Sequence, residues 1–377
     1  MMSRWEIVLT LGVATRNFTW ILLIWSKDTR FYKITLFPYF EVVFSSYAVW
    51  TASWTALYWT VRFLKYKLLN QPSRLLHHYT TSTYYTLKSD PVQRTIWQTA
   101  VCEVGFANEF VLRGILGIAA LHLARLRPCQ KDFYVTRGVM HYQQGMRIAT
   151  SLLPSINEEN CTPLCLFAGL AGIFAMASPR NAEDFLLFNN KGLADWIVLI
   201  RGMSSIIESS EPTLFNGSLG LMFQNGSLRF QLRSSEPFQP GSVHDTELQI
   251  LQRRIFFCSY IDSVRAEAYT EALTELRKSL NILYVYSETY EASDAFIWVF
   301  RIPEAYLTLL ECQDQSALCI FAFFCTILHQ LSTHWWAQGW SIHLMRQVYL
   351  MLDDEHRDWV QWPVEQIGEL GSLQNSP

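Results

Sequence analysis

The clearest hydrophobic pattern in the chain lies between Asp90 and Pro128. Asp90 stands in a helix-capping position, Pro91 follows where a missing N–H costs nothing, and Gln93 comes three residues after the cap. Val92, Ile96, Ala100 and Val104 then recur at helical spacing and predict the buried face of a first helix. After a break around Phe106 to Asn108, the segment from Phe110 to Leu126 is apolar nearly all round, relieved only by Arg113, His122 and Arg125, until Pro128 stops it. A helix without a wet face has to be buried on every side. Gly114 and Gly117 lower its helix propensity, which predicts a second helix passing close over them.

The same spacing predicts helices over 73–87, 131–153 and 160–177, the last with Pro163 in its first turn. A helix over 184–202 has Gly202 as its C-cap. Further helices are predicted at 246–264, 266–290, 295–310 with a restart at Pro303, 317–331 and 342–352, and Trp359, Trp362 and Pro363 close the ordered part. Between Pro212 and Gly241 the periodicity fails amid Gly217, Gly220, Gly226, Pro237 and Pro240, which predicts a flexible insert over 212–243. No period-2 alternation of any length and no repeat are present. The expected fold is all-α, an irregular domain of about a dozen packed antiparallel helices over residues 72–370.

Residues 1–71 differ in character. Ile7 to Trp25 is apolar but broken by Arg16 and Asn17. Val42 to Val61 is uncharged over a length sufficient for a bilayer, with Trp50, Trp54, Tyr58 and Trp59 as interfacial anchors and Arg62, Lys65 and Lys67 following at once, although six Ser and Thr residues dilute it. Three readings stand: a membrane span at 42–61, an apolar segment packed on the main domain, or sequence translated across a mis-set exon boundary.

Composition narrows the chemistry. Of 377 residues, 50% are hydrophobic, 15% aromatic and 17% charged, with a net charge of -3. That is an interior-rich chain with no basic excess for nucleic-acid phosphates. The eight cysteines, at 102, 129, 161, 165, 258, 312, 319 and 325, form no CxxC pair and read as free thiols. No HExxH, GxSxG, phosphate-binding glycine loop or GxGxxG is present, so nothing supports an enzyme. His77 and His78 point apart on a helix, and Cys161 and Cys165 lack a second ligand pair, so no metal site is expected. Phe324, Leu328, Trp335, Trp336 and Trp340 are candidates for lining an apolar ligand pocket, with His329, His334 and Gln338 as polar fixings; ordinary core is the alternative.

An ordered succession of motifs gives these segments a family likeness. It begins with Leu75-Leu76-His77-His78-Tyr79, Asp90-Pro91 with Trp97, Gly114 to Leu126 with Ala119-Ala120-Leu121-His122-Leu123-Ala124, Asn160-Cys161 and Ala177-Ser178-Pro179. It continues through Trp196 to Ile206 with Leu199-Ile200-Arg201-Gly202, then Pro303-Glu304-Ala305-Tyr306-Leu307, Trp335-Trp336-x-x-Gly339-Trp340 and Trp359-x-x-Trp362-Pro363. Over residues 73 to 370 this resembles the C-terminal regulatory half of fungal zinc-cluster (C6 finger) transcription factors, the subgroup similar to sterol uptake control proteins. The resemblance implies a helical regulatory domain in the nucleus, controlling RNA polymerase II genes of sterol or secondary-metabolite pathways. It also implies a sterol or other apolar ligand and protein partners in the transcription machinery. Family members bind zinc through an N-terminal cluster of cysteines beginning Cys-x-x-Cys, a pattern these residues do not contain, so no zinc and no direct DNA binding are expected of this chain. The alternative is a helical interaction or lipid-binding protein tethered to the endoplasmic reticulum or another membrane through 42–61.

Overall fold

The computed structural model describes residues 5–9, 21–26, 31–35, 71–189, 192–238, 241–258 and 262–368, by their backbone alone at 5–9, 21–26, 31–35, 71, 189, 203–211 and 258. The chain divides into two units, Met1–Ser73 and Arg74–Pro377. In the first, β1 (Trp5–Leu9), β2 (Ile21–Ser26) and β3 (Phe31–Thr35) form an antiparallel sheet in that order, Trp5 opposite Ser26 and Ile21 opposite Thr35. The sequence pattern gave no strand here, because runs of five or six residues are too short for alternation to stand out in an apolar stretch. The candidate span at 42–61 lies outside the described residues.

The second unit is helical; α1 (Gln71–His78) runs into it and tightens through a π-turn and a 3-10 turn to Thr86. Then come α2 (Pro91–Gln98), α3 (Ala100–Ala107), α4 (Glu109–Leu126), α5 (Lys131–Leu152), α6 (Cys161–Ala177) and α7 (Asp195–Asn216). The chain continues with α8 (Gly220–Ser235), α9 (Val243–Cys258), α10 (Ser263–Val285), α11 (Ala292–Arg301) and α12 (Glu304–Glu311). It ends with α13 (Gln315–His329), α14 (Trp340–Met351), α15 (Asp354–Arg357) and α16 (Gln361–Ile367). The all-α class is as expected.

Asp90 caps α2 as its position implies, its carboxylate accepting from the Gln93 N–H at 2.8 Å. The buried stripe, however, is Gln93, Trp97, Val101 and Gly105, one position along from the expected set, and Val92 is exposed. Trp97 offers the largest area to bury and rotates the helix toward itself. The helix also breaks at Thr99, whose hydroxyl donates back to the Thr95 carbonyl. Gly114 holds to its expectation: a Cβ there would lie 3.1 Å from Leu170 and 3.2 Å from Phe167, so α6 crosses at that point.

A central helix organises the C-terminal half. Every residue of α13 from Ser316 to Leu328 is buried, against α10, α14 and α16. Gln315–Thr333 is long and apolar enough to cross a membrane, but 78% of that window is buried inside the protein, where it serves as core. Trp298 of α11 stacks on Phe324 at 4.4 Å between ring centres and donates its indole N–H to the Ala272 carbonyl at 3.0 Å. The Tyr306 hydroxyl donates to the Ala317 carbonyl at 2.9 Å. Aromatic bulk and satisfied polar tips fix this core together.

Two boundaries differ from the sequence reading. Gly202 does not cap a helix; α7 starts at Asp195 and runs on past it, because packing of Trp196, Ile197, Leu199 and Ile200 against α6 outweighs the roughly 1 kcal/mol cost of an internal glycine. The insert expected over 212–243 is mostly helix: the end of α7 and the whole of α8. What orders α8 is charge. Arg229 forms a two-pronged pair with Asp294 and reaches the Thr289 carbonyl at 2.9 Å. Arg233, only 3% exposed, donates to Glu275 at 2.6 Å and to the Ser279 hydroxyl at 3.1 Å. Such contacts join residues some forty to sixty positions apart, which local periodicity does not register.

A second polar cluster joins the ends of the unit. His122 of α4 is 6% exposed and stacks on Trp335 at 4.8 Å, while Trp335 donates its N–H to the Thr86 hydroxyl at 2.8 Å. His122 Nδ1 lies 3.2 Å from His78 Nε2 and 3.0 Å from the Thr83 hydroxyl. An unprotonated Nδ1 satisfies both, accepting from each. Burial first, then His78 and Arg125, lower the His122 pKa to about 4.

Two outcomes test these contacts. Arg233→Met strands Glu275 with Lys278 alone and is expected to cost about 3 kcal/mol in chemical denaturation, part of it recovered by adding Glu275→Leu; a neutral single variant removes the pair as the anchor of α8. For His122, the unfolded imidazole takes its proton near pH 6.5 and the folded one only near 4, so stability falls as pH drops across that window. The melting temperature is expected to be lower at pH 5 than at pH 7, with a smaller drop in His122→Gln and the share owed to His141, also lowered to about 4, remaining. An unchanged drop in that variant would assign the effect elsewhere.

Candidate functional site

Between the end of α6, the start of α7 and the start of α14, a cleft of about 620 Å³ opens at the surface, within the size range of small-molecule sites. Its roof is built from 178–189 and 192–194: the chain leaves α6 at Ser178-Pro179, turns at Asn181 to Asp184 with the Asp184 carboxylate accepting from the Asn181 N–H, and pairs β4 (Phe188–Asn189) with β5 (Gly192–Leu193). Phe185, Leu186, Phe188, Trp196 and Trp340 supply its apolar wall.

The segment is held by side chains that reach its backbone. From α14, His343 donates through Nε2 to the Asp184 carbonyl at 2.7 Å and Gln347 to the Ala182 carbonyl at 2.6 Å. Trp340 donates its indole N–H to the Met176 carbonyl at 2.7 Å, and Trp196 does the same to Leu186 at 3.0 Å. Both Trp N–H groups facing this region are thus occupied, and what the two rings have left to offer is apolar surface. Gly339, at φ +80°, starts the turn into α14, and a Cβ on it would lie 2.9 Å from Arg180 Nη2. Glycine there lets the Arg180 guanidinium settle over the Trp340 ring, 5.0 Å from its centre. Partial burial lowers the Arg180 pKa, and a guanidinium keeps its charge in proteins.

The five pocket candidates do not converge on one cavity among the described residues. Trp340 lines the cleft. Phe324 and Leu328 sit inside α13 at 0% and 1% exposure, Phe324 against Trp298. Trp336 is buried with its N–H unpartnered and its ring edge-on to His334 at 5.3 Å. Trp335 belongs to the His122 stack. The suggested fixings are committed as well, His329 to the Ser341 hydroxyl at 3.0 Å and Gln338 to Arg125. Sequence reasoning missed Arg180, Glu183 and Phe185, which stand in a stretch read as turn and helix start; Ser178-Pro179 before them was the available signal that the chain leaves the core there.

Cys161 and Cys165 are both buried, packed with Leu214, and burial pushes the Cys165 thiol up to about 12. They serve as small core hydrophobes. No group of three or more metal-ligating side chains occurs among the described residues.

Comparison with known proteins adds identity to this geometry. No family model matches the chain. A Zn(2)-C6 fungal-type transcription factor of Gibberella zeae is 24% identical over 307 residues, covering 77% of this chain and 60% of that protein. The Zn(2)-C6 fungal-type transcription factor afumD of Aspergillus fumigatus is 24% identical over 144 residues, 36% of each chain. The chain therefore spans about three fifths of the first relative and about a third of the second. The first match must include most of the helical unit, since the front unit ends at Ser73. The family likeness carried by the ordered motifs stands: this chain is a relative of the Zn(2)-C6 fungal-type transcription factors.

Proposed function

We propose that the chain is the regulatory region of a fungal transcription regulator, acting in the nucleus on RNA polymerase II genes through partners in the transcription machinery. The observation that carries this reading is the match to a transcription factor over 77% of the chain, together with a helical unit built as one core. Sterol or secondary-metabolite genes are the target classes favoured by the motif likeness. The net charge of -3 leaves no basic excess for DNA phosphates, and on this reading recognition of a promoter falls to another module or partner.

The regulatory step is a population shift. A small ligand with an apolar body that binds one packing of α6, the 178–194 segment and α14 better than another changes which surface partners meet. On this reading Trp340 meets the ligand, while Phe324, Leu328, Trp335 and Trp336 belong to the surrounding core.

Fused to a heterologous DNA-binding domain in a fungal host, the full chain is expected to change a reporter with matching upstream sites by at least about fivefold. A Trp340→Ala fusion at equal abundance is expected to lose most of that change, since Trp340 ties α14 to α6. Reporter output equal to that of the DNA-binding domain alone would overturn the regulatory reading.

A further inference from the structure

The cleft beneath 178–194 carries more information than its volume. The two indole N–H groups in its apolar wall, of Trp196 and Trp340, are already used within the protein. Its polar lining comes from five side chains: Ser178, Arg180, Glu183, Asp184 and Asp195. Ser178 donates to the Phe174 carbonyl at 2.8 Å, and the Asp184 carboxylate accepts from Asn181, so both are occupied. Three groups are left: one guanidinium and the carboxylates of Glu183 and Asp195. None of the three has a hydrogen-bond or ion-pair partner among the described residues.

This combination selects a class of ligand by charge. A neutral apolar molecule would use the rings and leave all three charges unmatched. A simple anion would meet Arg180 but face two carboxylates, and a simple cation would meet the carboxylates and face Arg180. A molecule with both signs on one apolar body answers all of them. The Arg180 guanidinium, planar and always charged, suits a carboxylate, and an ammonium suits the two carboxylates. Trp196, Trp340, Phe185 and Phe188 take the body.

Resting on the regulatory reading above, we infer that the cleft lined by Arg180, Glu183, Asp195, Trp196 and Trp340 is the sensing site, and that its ligand is a small zwitterion with a large apolar side chain, of the α-amino acid class. Gly339 is a positioning residue in this site: without a Cβ it leaves the Arg180 head over Trp340, where its outer edge meets the ligand carboxylate.

The test uses the purified full chain and titration calorimetry with L-tryptophan, L-phenylalanine and L-leucine, plus two one-charge analogues, tryptamine and indole-3-propionate. At least one of the amino acids is expected to bind at least about tenfold more tightly than either analogue binds, since each analogue lacks one charge-assisted contact. Arg180→Gln is expected to weaken the amino acid about tenfold and to leave tryptamine within about twofold; Glu183→Gln with Asp195→Asn should weaken the amino acid and tryptamine and spare indole-3-propionate. All these positions are exposed, so the variants keep the fold, which a thermal melt verifies. Absence of binding by all three amino acids, or affinities that the variants do not move in this crossed pattern, would overturn the assignment. A reporter that responds while no amino acid binds removes only the ligand class; binding with a silent reporter removes the transcriptional reading and keeps the site.

Discussion

The helical unit depends on one constraint, the need of α13 to be covered on every side. A helix whose side chains are apolar around its whole circumference has no face to give to water, so neighbours must close over it in all directions. α10, α14 and α16 do this directly, and α11 and α12 add Trp298 and Tyr306 against it. The long side chains that make α13 unsuited to solvent also dictate how close those helices come. Stacking of Trp298 on Phe324 fixes one of those distances, and the hydrogen bonds from the tips of Trp298 and Tyr306 fix the rotation of the helices that carry them.

What could be read in advance followed from how local the deciding interactions are. The cap at Asp90, the break before Glu109, the restart at Pro303 and the nearly all-apolar course of α4 and α13 are written in adjacent residues, and the structure has them. The phase of α2 and α3 was missed by one residue, because Trp97 outweighs the smaller Val92 and Ile96 and no periodicity rule weighs area. The order of α8 was missed because it comes from Arg229 and Arg233 meeting Asp294 and Glu275, far away in sequence. The cleft was missed for the same reason. Its residues come from three separate stretches; Ser178-Pro179, Trp196 and Trp340 each stand in a motif, but nothing in those motifs brings them to one place.

The charged contacts play two different parts. Around α8 they are inward-facing and paired, so they hold an otherwise weakly apolar helix in register; removing a partner leaves a buried charge. At the cleft they are outward-facing and unpaired among the described residues, so they contribute little to the fold and stay available to a ligand. The His122 cluster is intermediate: its polar atoms are paired, but only while the imidazole is neutral.

The segment over the cleft is fastened in an asymmetric way. His343 and Gln347 hold it by the carbonyls of Asp184 and Ala182, and Trp196 and Trp340 bond Leu186 and Met176 likewise. A carbonyl is present whatever side chain the residue bears. Positions 180 and 183, both exposed, can therefore be exchanged during descent without loosening the frame that presents them. Related proteins can share this scaffold while diverging in what they recognise, with new specificities arising from a few substitutions in one short stretch rather than from rebuilding the core.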